Sequence, residues 1–116
     1  MAKINIKVSI LQDKNKNVFT TIGHYQEHNK ILTYKEKDNT LVTYDYTKNI
    51  LTRNNQDILM KYQFIKNKVT TGTILIKDFN KYVDLDIYTD KIIIDNQNIE
   101  IQYKTEDNFI YKIEVI

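Results

Sequence analysis

Arg53 is the single arginine among 17 basic residues. Where composition otherwise supplies lysine, a guanidinium marks a need for its planar fork. That fork grips a carboxylate or phosphate through two parallel N–H bonds. Arg53 follows Leu51 at the same parity, so on a strand both side chains point to one side. Glu36 shares parity with Leu32 and Tyr34 and is placed to face Arg53. Two roles compete for the pair. One is an anchor for the anionic end of a bound molecule; the other is an ion pair that closes one end of the fold.

Other residues with chemical potential fare less well. His24-Tyr25-Gln26-Glu27-His28 matches the H-x-x-E-H pattern of some zinc peptidases. That chemistry needs both histidines on one helical face. Here the pattern follows the strand-like run Thr20-Thr21-Ile22-Gly23. Residues four apart on a strand lie about 13 Å apart, too far to share one ion. Ser9 is the only serine, which removes the serine triad, and the chain has no cysteine. Asp84 and Asp86 lie roughly 7 Å apart by strand rise, a spacing that suits acid–base work on sugars. They alternate with Tyr82 and Tyr88 on a side that reads as solvent-facing. No glycine-rich phosphate loop is present. The expectation is a protein that is not an enzyme, with no cofactor and no metal.

Nine tyrosines are the second excess. Tyr44, Tyr46, Tyr62, Tyr103 and Tyr111 fall on faces that read as inward. A tyrosine ring fills apolar space while its hydroxyl needs a partner. Arg53, Glu36, Tyr34, Tyr62 and Tyr103 are the residues expected to line a ligand site.

These side chains are positioned by strands. Ile4, Ile6, Val8 and Ile10 alternate with Lys3, Asn5, Lys7 and Ser9. A period of two puts successive side chains on opposite faces. The pattern predicts strands over 3–11, 18–25, 31–37, 40–47, 50–53, 69–77, 81–89, 98–104 and 108–116, with 92–94 as a short strand of its own. Residues 13–17 read as the first turn, and Asp38-Asn39 as a tight primed hairpin turn. Val18, Thr20 and Ile22 share one side of the second strand, where Gly23 marks a bulge or a close backbone approach. Val83, Leu85 and Ile87 are expected inward, as are Ile99, Ile101, Phe109, Ile113 and Val115. The run 58–65 alternates as a strand, while Ile58, Leu59, Tyr62 and Ile65 also fit a helical stripe; its length and neighbours favour the strand.

So many strands joined by short turns predict one all-β domain over residues 1–116. The expected architecture is a single antiparallel meander closed into a barrel of about eight to ten strands, because closure removes exposed edges. Such a barrel either fills with side chains or holds one small molecule. The 17 basic and 15 acidic residues give a net charge of +2. The charges are interleaved, and no basic stripe with aromatics suits a nucleic-acid groove. No run reaches the roughly 20 apolar residues of a membrane span, and the start lacks a signal-peptide core. With no cysteine, these features point to a cytoplasmic protein.

Dispersed motifs carry a family resemblance along the whole chain. They are Thr21-Ile22-Gly23 with Ile31-Leu32-Thr33-Tyr34-Lys35-Glu36; Leu51-Thr52-Arg53-Asn54, with Asn54 in place of a glycine; Tyr62-Gln63-Phe64 before Val83-Asp84-Leu85-Asp86-Ile87-Tyr88-Thr89; and Ile99-Glu100-Ile101-Gln102-Tyr103. In this order the chain resembles the YwiB-like family of small bacterial proteins. The resemblance implies a calycin-like barrel, similar to lipocalins and fatty-acid-binding proteins, without the helical lid insert that fatty-acid binders carry after the first strand. It implies no activity.

The leading expectation is therefore a small apolar or amphipathic ligand inside the barrel, in a cavity of roughly 300 Å³ or more, with Arg53 near its polar end. The alternative is a protein–protein interaction module that uses a sheet edge or an outer apolar patch such as Leu59 and Ile65. The oligomeric state, monomer or homodimer, is left open.

Overall fold

The alternation at the start of the chain becomes a buried row. Ile6 and Val8 on β1 (Ala2–Gln12) are fully buried, while Lys3 and Asn5 face solvent. Each such aliphatic side chain contributes about 1.5–3 kcal/mol of burial. The same beat continues through β2 (Asn15–Gln26), β3 (Ile31–Lys35), β4 (Leu41–Asp45), β5 (Ile50–Asn54), β6 (Ile58–Gln63), β7 (Val69–Ile76), β8 (Lys81–Asp95), β9 (Asn98–Lys104) and β10 (Asn108–Val115). The structure, a computed structural model, describes residues 2–116. Its strands form one antiparallel meander in which β10 returns to pair with β1, closing the barrel. The run 58–65 is a strand, with Met60, Tyr62 and Phe64 buried. Among the described residues no helix is long and apolar enough to cross a membrane.

The turns explain the asparagines. Asp13, Lys30, Asn39, Asn49, Asn67, Asn80 and Asn96 all have positive φ, and each sits in a connection between strands. Asparagine and aspartate tolerate the left-handed region better than other non-glycine residues. A chain with two glycines uses asparagine there instead. Neither glycine has positive φ; both are inward strand residues where a side chain has no room. A Cβ on Gly23 would meet Leu32 Cδ1 at 2.8 Å, and one on Gly72 would meet Ile87 Cδ1 at 2.7 Å and the Tyr62 ring at 2.8 Å. Gly23 thus marks a close approach, not a bulge.

The bulge lies in β8. Thr89 pairs with Tyr103 and Lys91 with Gln102, leaving Asp90 unmatched. Residues 92–94 are therefore not a separate strand but the end of a continuous fifteen-residue one. The extra residue switches parity, so Ile87 and Thr89 are inward before it and Ile92 after it.

Three further expectations need correction. The first turn is only Asp13-Lys14, because β2 begins at Asn15 and pairs with Gln12. The β3–β4 connection is a five-residue loop, not a two-residue primed turn: the Glu36 N–H donates to the Thr40 carbonyl at 2.9 Å. Val18, Thr20 and Ile22 do share one side of β2, the solvent side, whereas Gly23 and Tyr25 point in. Val83 and Val115 have inward parity yet stay about two-fifths exposed, because each lies near a barrel end.

Candidate functional site

One register row crosses half the barrel: Tyr34, Val42, Arg53, Met60, Ile74 and Val83 are successive cross-strand partners on β3 to β8. Arg53 is the charged member of this inward row. The row before it, Leu32, Tyr44, Leu51 and Tyr62, is buried and apolar apart from its hydroxyls. Arg53 therefore sits between a packed interior and the barrel end that carries the β1–β2, β3–β4, β5–β6, β7–β8 and β9–β10 connections. We call that end the mouth.

At the mouth Arg53 Nη2 donates to Glu36 Oε1, forming an ion pair that spans the position of Val42. The Glu36 side chain is 12% exposed and that of Arg53 34%. Arg53 Nε is buried with no hydrogen-bond partner. Burial alone would lower the guanidinium pKa. The hydrogen bond and charge of Glu36, helped by Tyr34 and Asp38, outweigh it and hold the group above the ordinary arginine value.

Beside the pair, at the mouth, lies a cavity of about 440 Å³. Tyr34, Tyr62, Tyr103, Phe109 and Tyr111 supply its aromatic wall, and Ile10, Val42, Leu51 and Met60 its aliphatic one. Gln12, Asn15, Lys16 and Asn17 form the polar rim. The Tyr103 and Phe109 rings stack at 4.9 Å with 7° between planes, and Tyr62 meets Tyr103 edge-on. Tyr34 and Tyr111 hydroxyls share a bond of 2.6 Å. Burial raises the pKa of Tyr34, Tyr103 and Tyr111, so all three stay neutral at physiological pH.

A second, smaller recess opens sideways. β2 pairs with β3 only through His24–Gln26, so Asn15–Gly23 has no partner on that side. Phe19 reaches across this seam to Tyr34, ring centroids 6.3 Å apart. A recess of about 250 Å³, bounded by Asn17, Phe19, Glu36, Lys37, Asp38 and Arg53, lies there. The Arg53–Glu36 pair lines both the central cavity and this side recess.

All five expected lining residues, Arg53, Glu36, Tyr34, Tyr62 and Tyr103, line the same cavity. The expected inward tyrosines are all buried, and Tyr25 joins them. Tyr111, one of the tyrosines read as inward, lines the cavity too, whereas sequence reasoning missed Met60 and Phe109 as lining residues although their inward parity was legible. It also missed Asn15, Lys16 and Asn17, because they read as turn. Asp84 and Asp86 lie exposed on β8. His24 lies on β2 and His28 in the turn after it. Among the described residues no group of three or more His, Cys, Asp or Glu is placed to hold a metal.

No family model and no curated protein matches this chain. Among solved structures, the crystal structure of the ywiB protein from Bacillus subtilis matches with a TM-score of 0.62 at 21% identity. The match covers 98% of this chain and 90% of that one. At that identity the likeness is one of fold, and it shows the closed ten-strand barrel to be a YwiB-like barrel.

Proposed function

We propose that this protein is a cytoplasmic, non-catalytic barrel that binds a small apolar or amphipathic molecule in its central cavity, with Arg53 near the polar end. The observation that carries this reading is the cavity of about 440 Å³ lined by an ion pair and walled by tyrosines and aliphatic residues. Packing alone tends to fill a barrel interior. A void of this size falls within the range of small-molecule sites. The calycin-like analogy points the same way, at the level of fold.

Native mass spectrometry of the purified protein tests it. A discrete small-molecule adduct is expected, lost when Met60→Trp fills the cavity. A well-folded protein that takes up no member of a broad panel of small amphiphiles would contradict it.

One observation favours the second reading, an interaction module. The unpaired stretch Asn15–Gly23 of β2 is a free sheet edge of the kind that recruits another strand. Leu59, one of the outer residues expected to serve such a role, is half-buried; Ile65 is 40% exposed. This reading requires concentration-dependent association in analytical ultracentrifugation, abolished by a proline at Thr20.

A further inference from the structure

The Arg53–Glu36 pair changes what kind of polar end the cavity can take. A lone guanidinium would select a carboxylate or phosphate. Here Glu36 already occupies Arg53 Nη2 through Oε1. The other charged groups nearby, Lys16 on the cavity rim and Lys37 and Asp38 in the side recess, are exposed to solvent. The charges held inside the site, Arg53 and Glu36, neutralise each other. An incoming carboxylate would lose its hydration without meeting a net positive charge, which is unfavourable in a partly buried site. The alternative, displacing Glu36, would strand that carboxylate.

What the pair does offer is a donor beside an acceptor. Arg53 Nη2 bonds Glu36 Oε1, which leaves the Nη1 N–H groups and Glu36 Oε2 for a ligand, while Nε is buried away from it. A carbonyl next to an N–H, as in a carboxamide or lactam edge, matches that order. The hydroxyls of Tyr62 and Tyr103, which bond no protein group among the described residues, add neutral donor–acceptor groups on the same wall. The wall itself is aromatic, with the stacked Tyr103–Phe109 pair beside the edge-on Tyr62. Such a surface suits a ring more than a flexible chain.

We propose that the cavity selects an uncharged, ring-bearing molecule with an amide-type donor–acceptor edge, and that Glu36 is the residue that excludes carboxylates. This rests on the cavity being the binding site, as proposed above.

The test compares two probes matched in ring and length, indole-3-acetamide and indole-3-acetate, by calorimetric and NMR titration of the full chain. The wild-type protein is expected to bind the acetamide about tenfold more tightly than the acetate. Glu36→Gln leaves Arg53 unneutralised and is expected to reverse that order. The wild-type comparison stands by itself should the variant fold poorly. Equal or tighter binding of the acetate by the wild type would overturn the inference while leaving the cavity a binding site. Binding of neither probe, with no cavity resonance moved, would overturn the inference together with the reading beneath it.

Discussion

The hydroxyls of Tyr34 and Tyr111 meet at 2.6 Å, joining β3 to β10 across the barrel interior. These strands are separated in the sheet by β2 and β1. The bond ties together the side of the barrel where β2 and β3 part. Tyr111→Phe leaves a buried Tyr34 hydroxyl without its partner and is expected to cost about 1–3 kcal/mol. The double variant Tyr34→Phe/Tyr111→Phe removes both polar atoms and should recover most of that loss. Urea unfolding of the two single variants and the double variant checks it. Additive losses would mean that the hydroxyls do not depend on each other.

Gly72 is the contact that sets the Tyr62 ring. An alanine Cβ there would stand 2.7 Å from Ile87 Cδ1 and 2.8 Å from Tyr62 Cδ1. Gly72→Ala is expected to cost about 1–3 kcal/mol by overpacking and to move Tyr62 into the cavity. Chemical denaturation reads the first effect, and the Tyr62 ring resonances read the second. An unchanged stability with unchanged ring shifts would show that the close approach is relaxed in solution.

Asn49 does two jobs that substitution can separate. Its backbone has φ 53°, and its Oδ1 accepts the Tyr44 hydroxyl at 2.7 Å. Asn49→Gly keeps the left-handed turn and loses the bond, at about 1 kcal/mol. Asn49→Ala loses both, at about 2–3 kcal/mol. Thermal unfolding of the two variants should rank alanine below glycine. The reverse order would remove the conformational role.

Alkaline pH should unfold the barrel. Burial raises the pKa of Tyr34, Tyr44, Tyr46, Tyr103 and Tyr111 above the ordinary tyrosine value. In the unfolded chain each loses its proton near pH 10. Above that pH the unfolded state binds fewer protons than the folded one, so stability falls as pH rises. Below pH 10 this contribution is intact. Each tyrosine removes up to about 1.4 kcal/mol per pH unit beyond it. Tyrosinate absorbance and circular dichroism, followed together from pH 8 to 12, should show buried tyrosines ionising only as the strands melt. Gradual ionisation with the strands intact would contradict it.

The two-residue beat made the barrel legible, because burial on one face is the force that writes it. Ile6, Leu32, Leu51 and Ile101 are all buried as their parity required. Parity failed where local geometry intervened. The bulge at Asp90 is set by pairing with β9, and no residue near it announces a change of register. Asn15 and Asn17 read as turn because asparagine favours turns, yet cross-strand pairing with β1 held them in β2. The ion pair of Arg53 with Glu36 was legible from parity and from the rarity of arginine. The cavity was not: it depends on how far opposite walls stand apart, which no single strand encodes.

Met60 gives the most direct test of the central claim, that the interior holds a small molecule. It lines the cavity, and the chain has only one other methionine, Met1. A sample labelled with ¹³C at the methionine methyls and uniformly with ¹⁵N therefore reports the interior through one methyl resonance and the rest of the chain through its N–H groups. Titration with indole-3-acetamide should shift the Met60 methyl saturably, together with the Arg53 Nε–H. Shifts confined to outer residues such as Ile65, Val69 and Tyr88, with Met60 unmoved, would contradict it.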